Sequence, residues 1–188
     1  MARHKKKYGY TIALWERGKT VPSLFRKLSG FKAQYLLPTS NLWTAMIDAS
    51  WMPWPFRRAL ALLRNRDENG DLWNMCHFWS NFEIVDMEFF RSAAYRKIFD
   101  YLDRDGGFYY ERWGDAPVHS LAAALLLRPE ELHHFSDFGY VHDGLQVCPP
   151  ESGEEEKRRD VLGCRCKCDA EARAVEPVCL NRIGLALV

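Results

Sequence analysis

The chain has 188 residues, 47% of them hydrophobic, and a net charge of +1 from 26 Lys and Arg against 25 Asp and Glu. That length fits one domain or part of a larger one, with enough apolar content to bury a sizeable core. The near-neutral charge excludes a basic nucleic-acid surface: the one basic cluster, Arg3 to Lys7, is short and has no groove-binding motif behind it.

Tyr8 to Trp15 (YGYTIALW) is rich in β-formers and predicts a strand ending at the Arg17-Gly18 turn. Thr20 then predicts an N-cap, with Pro22 near the first helical position. Leu24, Phe25, Leu28 and Phe31 give that helix its apolar face. Pro38 to Pro55 reads as mainly loop with a short helix, and Phe56 to Arg64 has helical spacing. Asp67 to Asp71 (DENGD) holds an Asn-Gly turn and is too short for a calcium-binding loop. Met75 to Trp79 predicts a strand. Asp86 to Asp103 predicts a helix broken near Ser92, with Tyr95, Ile98, Phe99 and Leu102 on one face and Gly106-Gly107 at its end. Phe108 to Tyr110 reads as a short strand or turn. Asp115 reads as the cap of a helix through Leu127, with Pro117 in its first turn. Leu132 to Phe135 predicts a strand leading to Gly139-Tyr140-Val141-His142. Alternating strands and helices argue for an α/β fold.

Beyond Pro150 the character changes. Glu151 to Asp160 is a run of charged and small residues and predicts a solvated loop. Five of the six Cys (Cys148, Cys164, Cys166, Cys168 and Cys179) fall in the last 41 residues. They predict disulfides in an oxidising compartment, with a zinc site as the rival, although the C-x-C-x-C run lacks the usual two-residue spacer. The chain divides accordingly into 1–150, the main body, and 151–188, a charged loop and Cys-rich tail. No apolar run reaches the roughly 18 residues that span a membrane, and MARHKKK has no apolar stretch behind it to make a signal peptide. An oxidised tail without a targeting segment points to a missing N-terminus.

Three constellations are candidates to carry chemistry. In CHFWSNFEI, apolar Phe82 and Ile84 flank Glu83, so the carboxylate points away from its neighbours. It can serve as nucleophile, base or electrostatic stabiliser, or it can simply pair with an Arg. His77 and Trp79 lie two apart and share one side of the strand, as a sugar-stacking face or as core. In GGFYYERWGDAPVHS, two Gly precede Tyr109, Tyr110, Glu111, Arg112, Trp113 and Asp115. That density of polar and aromatic groups suits a cleft that grips hydroxyls. Arg112 can pair with Glu111, with Glu83 or with a phosphate. In Gly139 to Asp143, His142 beside Asp143 can bind a divalent metal, or be an ordinary exposed histidine.

Together with KKYGYTIALWE, the FFRSAAYRKIFDYLDRDGGFYYERWGDAPVHSLAAALLL run and HHFSDFGYVH, these segments resemble glycosyltransferase family 15, the fungal α-1,2-mannosyltransferases. The resemblance runs from about Lys6 to Pro149, and more weakly to Arg182. It implies a partial GT-A-like nucleotide-diphospho-sugar transferase fold, GDP-mannose as donor, a mannosylated glycan as acceptor, Mn2+ and retention of anomeric configuration. It also implies the lumenal side of the Golgi membrane. Glu83 takes the place of the family's candidate nucleophile or stabiliser, His142 of a metal ligand, Asp115 of a residue in the acceptor pocket, and Trp79 of one lining the sugar site. Asn81, Tyr110, Glu111, Arg112 and Trp113 fall in the same segments and are expected to bind substrate. The family's upstream Glu-Pro-Asp or Glu-Pro-Asn metal motif has no counterpart here, since Arg128-Pro129-Glu130 lies in another context. His142 alone would hold a metal weakly. The expectation is therefore little or no transferase activity from this chain, with an open sheet edge and an uncovered face. The alternative is a non-catalytic carbohydrate- or partner-binding remnant.

Overall fold

A computed structural model describes residues 1–54, 56–148, 171 and 173–185. The first half contains β1 (Tyr8–Tyr10), β2 (Ala13–Trp15), α1 (Leu24–Gln34), α2 (Asn41–Ala45), β3 (Ile47–Asp48), α3 (Arg57–Leu60), β4 (Leu72–Trp73), β5 (Cys76–Phe78) and β6 (Glu83–Val85). The second half contains α4 (Met87–Arg91), α5 (Ala93–Asp105), α6 (Gly107–Tyr110), α7 (Asp115–Leu126), β7 (Leu132–His134), β8 (Tyr140–His142), β9 (Leu145–Val147), β10 (Arg173–Ala174) and α8 (Val178–Gly184).

The predicted strand from Tyr8 to Trp15 is two strands. β1 is the middle of a sheet ordered β6-β1-β7, antiparallel to β6 with Tyr10 opposite Glu83, and parallel to β7 with Tyr8 opposite Leu132. β2 turns away and pairs antiparallel with β5, Leu14 opposite His77. The break at Thr11 and Ile12 follows from those separate partners. Phe135 donates to the Tyr10 carbonyl and Trp79 to the Ile12 carbonyl, so the backbone changes neighbours there.

α7 organises the core. From Ala116 to Leu125 its residues are buried except His119. A helix apolar on nearly every side belongs inside. The Ser120 hydroxyl ties it to β5, accepting from Phe78 N at 2.7 Å and donating to the Ala116 carbonyl at 2.6 Å. α1, α2 and α5 pack on it. Ser40 accepts from Trp43 N at the start of α2 and donates to the Ala124 carbonyl of α7.

Several boundaries differ from the sequence reading. α1 begins at Leu24, because the Thr20 hydroxyl closes the preceding turn onto the Arg17 carbonyl at 2.6 Å. The Phe56 to Arg64 helix is only the four residues of α3. Phe108 to Tyr110 is helical, as part of α6, because Gly106 enters the left-handed region (φ 79°) and starts a new turn. The N-cap of α7 is Gly114, and Asp115 is its first helical residue. The β3–β4 pair was not foreseen; strands of two residues carry no readable alternation. The Asp67 turn is as expected, its carboxylate accepting from Asn69 N and Asp71 N.

The disulfide expectation holds where the structure can show it. Cys76 in β5 is bonded to Cys179 in α8, and Cys148 is also disulfide-bonded. The Glu151 to Asp160 loop and Cys164, Cys166 and Cys168 lie outside the described residues. Among those described, no helix is long and apolar enough to cross a membrane.

Candidate active site

The site is built on the connection between β5 and β6, where Trp79, Ser80, Asn81 and Phe82 lead into Glu83. Ser80 donates to Asp115 Oδ1 at 3.0 Å, and Ala116 N donates to the same oxygen at 2.8 Å. The Asp115 charge thereby sits at the positive end of α7.

Glu83 is held from two sides. Tyr8 of β1 donates its hydroxyl proton to Glu83 Oε2 at 2.5 Å. His119 of α7 places Nδ1 at 3.1 Å from Oε1 and 3.2 Å from Oε2. The Arg partner considered from sequence is not what the structure shows: His119 is the one basic side chain paired with Glu83 among the described residues. Burial, and then the Glu83 charge, push the Tyr8 hydroxyl well above the ordinary tyrosine range, so it keeps its proton. Tyr95 is raised by burial and by the charges of Glu83 and Asp115.

Beside this pair lies a cleft of about 420 Å³, lined by Phe90, Tyr95, Phe99, Phe108, Trp113, Asp115, Val118 and His119. Aromatic walls with one carboxylate and one imidazole suit the apolar face and the hydroxyls of a sugar.

A second group forms where β8 meets the connection. His142 Nε2 lies 2.6 Å from Asn81 Nδ2, and its ring meets Trp79 edge-on at 5.1 Å. Tyr140 donates to the Asn81 carbonyl at 3.2 Å. The Asp143-Gly144 pair, both at positive φ, is the hairpin turn between β8 and β9.

Trp79, Asn81 and His142 therefore come together, and Asp115 and Trp113 line the cleft next to the His119–Glu83 pair. Tyr110 is exposed, 90% of its surface open. Glu111 accepts from Trp113 Nε1 at 2.6 Å and from Ser23 N at 3.1 Å, and so braces the loop. Arg112 is exposed and makes no ion pair with Glu111 or Glu83 among the described residues. His77 is buried in β5, and burial lowers its basicity despite the nearby Glu16 carboxylate. It is core, and does not share the partly open position of Trp79.

The sequence profile of the glycolipid 2-alpha-mannosyltransferases matches residues 1–183. The chain belongs to that family. It is 47% identical over 146 residues to O-glycoside alpha-1,2-mannosyltransferase homolog 2 of Schizosaccharomyces pombe, covering 77% of this chain and 34% of that protein. It is 40% identical over 171 residues to alpha-1,2 mannosyltransferase KTR1 of Saccharomyces cerevisiae, covering 90% and 37%. Among solved structures it is similar to core-mannan synthase A of Aspergillus fumigatus in its Mn/GDP form, with TM-score 0.73 and 34% identity over all of this chain and 46% of that one. Ktr4p of S. cerevisiae in complex with GDP matches with TM-score 0.76 and 29% identity over all of this chain and 45% of that one. The chain thus spans about a third of its curated relatives' length and under half of its structural neighbours, and its α/β fold is the expected GT-A-like one in part.

A manganese ion like that in the core-mannan synthase A structure finds no complete ligand set among the described residues. They hold no group of three or more His, Cys, Asp and Glu side chains that would bind an ion. His142 is one imidazole, with Nε2 already engaged by Asn81.

Sequence reasoning missed Tyr8 and His119. His119 had a signal, because it follows Asp115 by four residues and so lies on the same face of α7. Tyr8 had none, since only the β1–β6 pairing brings it to Glu83.

Proposed function

We propose that this chain carries the carboxylate and acceptor side of an α-1,2-mannosyltransferase site, transferring mannose from GDP-mannose to a mannoside hydroxyl. The observation that supports it most is Glu83, a partly buried carboxylate held by two donors at the edge of an aromatic cleft. Its negative charge stabilises the oxocarbenium-like charge that develops at the anomeric carbon, or it attacks that carbon. Retention then follows from double displacement or from same-face attack; the carboxylate logic of glycosidases is an analogy. Asp115 accepts hydrogen bonds from acceptor hydroxyls, Trp113 and its aromatic neighbours contact the ring, and Trp79, Asn81 and His142 face the donor. Tyr110, Glu111 and Arg112 belong to the substrate-gripping loop, with Arg112 free to meet an anion. Names of the relatives and the GDP seen in their structures support the donor class. Disulfide bonding at Cys76, Cys148 and Cys179 supports an oxidising lumen, in line with the Golgi.

Mannosyl transfer from GDP-mannose to methyl α-mannoside, with Mn2+ present, tests the assignment. Glu83→Gln is expected to lower what turnover the chain has by about 100-fold or more. Wild-type turnover in that variant would overturn it. The aromatic cleft by itself also suits a second reading, a non-catalytic carbohydrate-binding module that keeps it. Calorimetry separates the two: mannoside binding without Mn2+-dependent GDP binding selects the second.

A further inference from the structure

We infer that Tyr8 and His119 are positioning residues that fix the orientation of Glu83, and that His119 couples the carboxylate to occupancy of the aromatic cleft. This rests on the reading of Glu83 as the working carboxylate.

The geometry points there in three ways. First, the two donors come from different layers, β1 and α7, so the carboxylate cannot rotate without losing one of them. His119 Nδ1 is nearly equidistant from both oxygens, 3.1 and 3.2 Å, while Tyr8 takes Oε2 alone at 2.5 Å. Charge-assisted bonds to a partly buried carboxylate are among the stronger polar contacts. Second, the His119 ring is itself held, by Phe90 at 4.7 Å and Tyr95 at 6.4 Å between ring centres. Third, His119 lines the cleft together with Asp115, so a sugar seated there lies against the ring that holds Glu83. A carboxylate acceptor requires the proton of the neutral ring to be on Nδ1. The Tyr8 hydroxyl, kept protonated by burial and by Glu83, is a permanent donor.

Nuclear magnetic resonance of the ¹⁵N-labelled full chain tests this without turnover. At high pH the neutral His119 ring should carry its proton on Nδ1, and Glu83→Ala should shift the population toward Nε2. The Tyr8 hydroxyl proton should be resolved far downfield and vanish in Tyr8→Phe. A neutral ring protonated on Nε2 in the wild type, or spectra indifferent to Glu83→Ala, would overturn the inference. In the transfer assay, Tyr8→Phe and His119→Phe should each lower kcat about 10-fold. KM for GDP-mannose should stay within about twofold, because donor binding is not what these residues touch. Wild-type kcat in both variants, with Glu83→Gln inactive, overturns the positioning role alone. Wild-type kcat in Glu83→Gln overturns the reading of Glu83 itself.

Discussion

Gly107 and Trp113 show how one missing side chain shapes the loop before α7. A methyl built on Gly107 would lie 2.2 Å from Trp113 Cε2 and Cζ2. The indole fills that place, 5% exposed, with its Nε1 donating to Glu111. A buried, hydrogen-bonded ring has no room to give, so Gly107→Ala is expected to cost about 1 to 3 kcal/mol of stability, read from urea unfolding midpoints. The same variant should open the cleft that Trp113 lines and weaken mannoside binding. A stability equal to wild type would show that the ring shifts freely. At this scale the sequence is legible only in part. The run of Tyr, Glu, Arg, Trp and Asp marks a special loop. The residue types do not say that Glu111 turns inward to brace Trp113 while Tyr110 turns outward, because those directions are set by α6, an element the Gly-Gly pair hid.

Among elements, the Cys76–Cys179 bridge fastens α8 to β5 across 103 residues of sequence. Both cysteines are buried, at 0% and 2% exposure. Closing so long a loop constrains the unfolded chain strongly. Cys179→Ala is expected to lower the unfolding free energy by about 2 to 4 kcal/mol, and urea titration of the variant against wild type checks it. An unchanged midpoint would mean that α8 docks without the bridge. Helices announced themselves in the sequence better than strands did. Ser92 caps α5 by accepting from Tyr95 N, and Gly106 ends it in the left-handed region at φ 79°, both signalled by residue type. The division of Tyr8 to Trp15 into β1 and β2 was not signalled, because aromatic and β-branched residues sit on both sides of the bend and across it. Only the competing partners β5, β6 and β7 decide where the chain bends.

Over the whole molecule, near-zero net charge leaves individual buried groups to set the response to pH. His77 and His134 are both less basic than a free histidine, chiefly through burial. The His77 Nδ1 is buried with no hydrogen-bond partner among the described residues, and the cost of burying the charged ring outweighs the pull of the Glu16 carboxylate. The sign follows from proton counting. Below about pH 6.5 the unfolded chain takes up protons at these positions that the folded chain refuses. Stability contributed by their neutral forms is therefore full above that pH and is lost as pH falls through it. Asp67, raised by burial, acts the opposite way: its folded form takes up a proton above the ordinary aspartate value of 3.8, which offsets part of the loss at more acid pH. The unfolding free energy should thus decline from pH 7.5 to pH 5.5, by at most about 1.4 kcal/mol per pH unit for each histidine. His77→Leu, similar in size and without a titrating ring, should flatten the decline by about 1 kcal/mol over that interval. Urea unfolding of both proteins at the two pH values measures the difference. A His77→Leu slope equal to wild type would assign the loss to His134 and the remaining titrating groups.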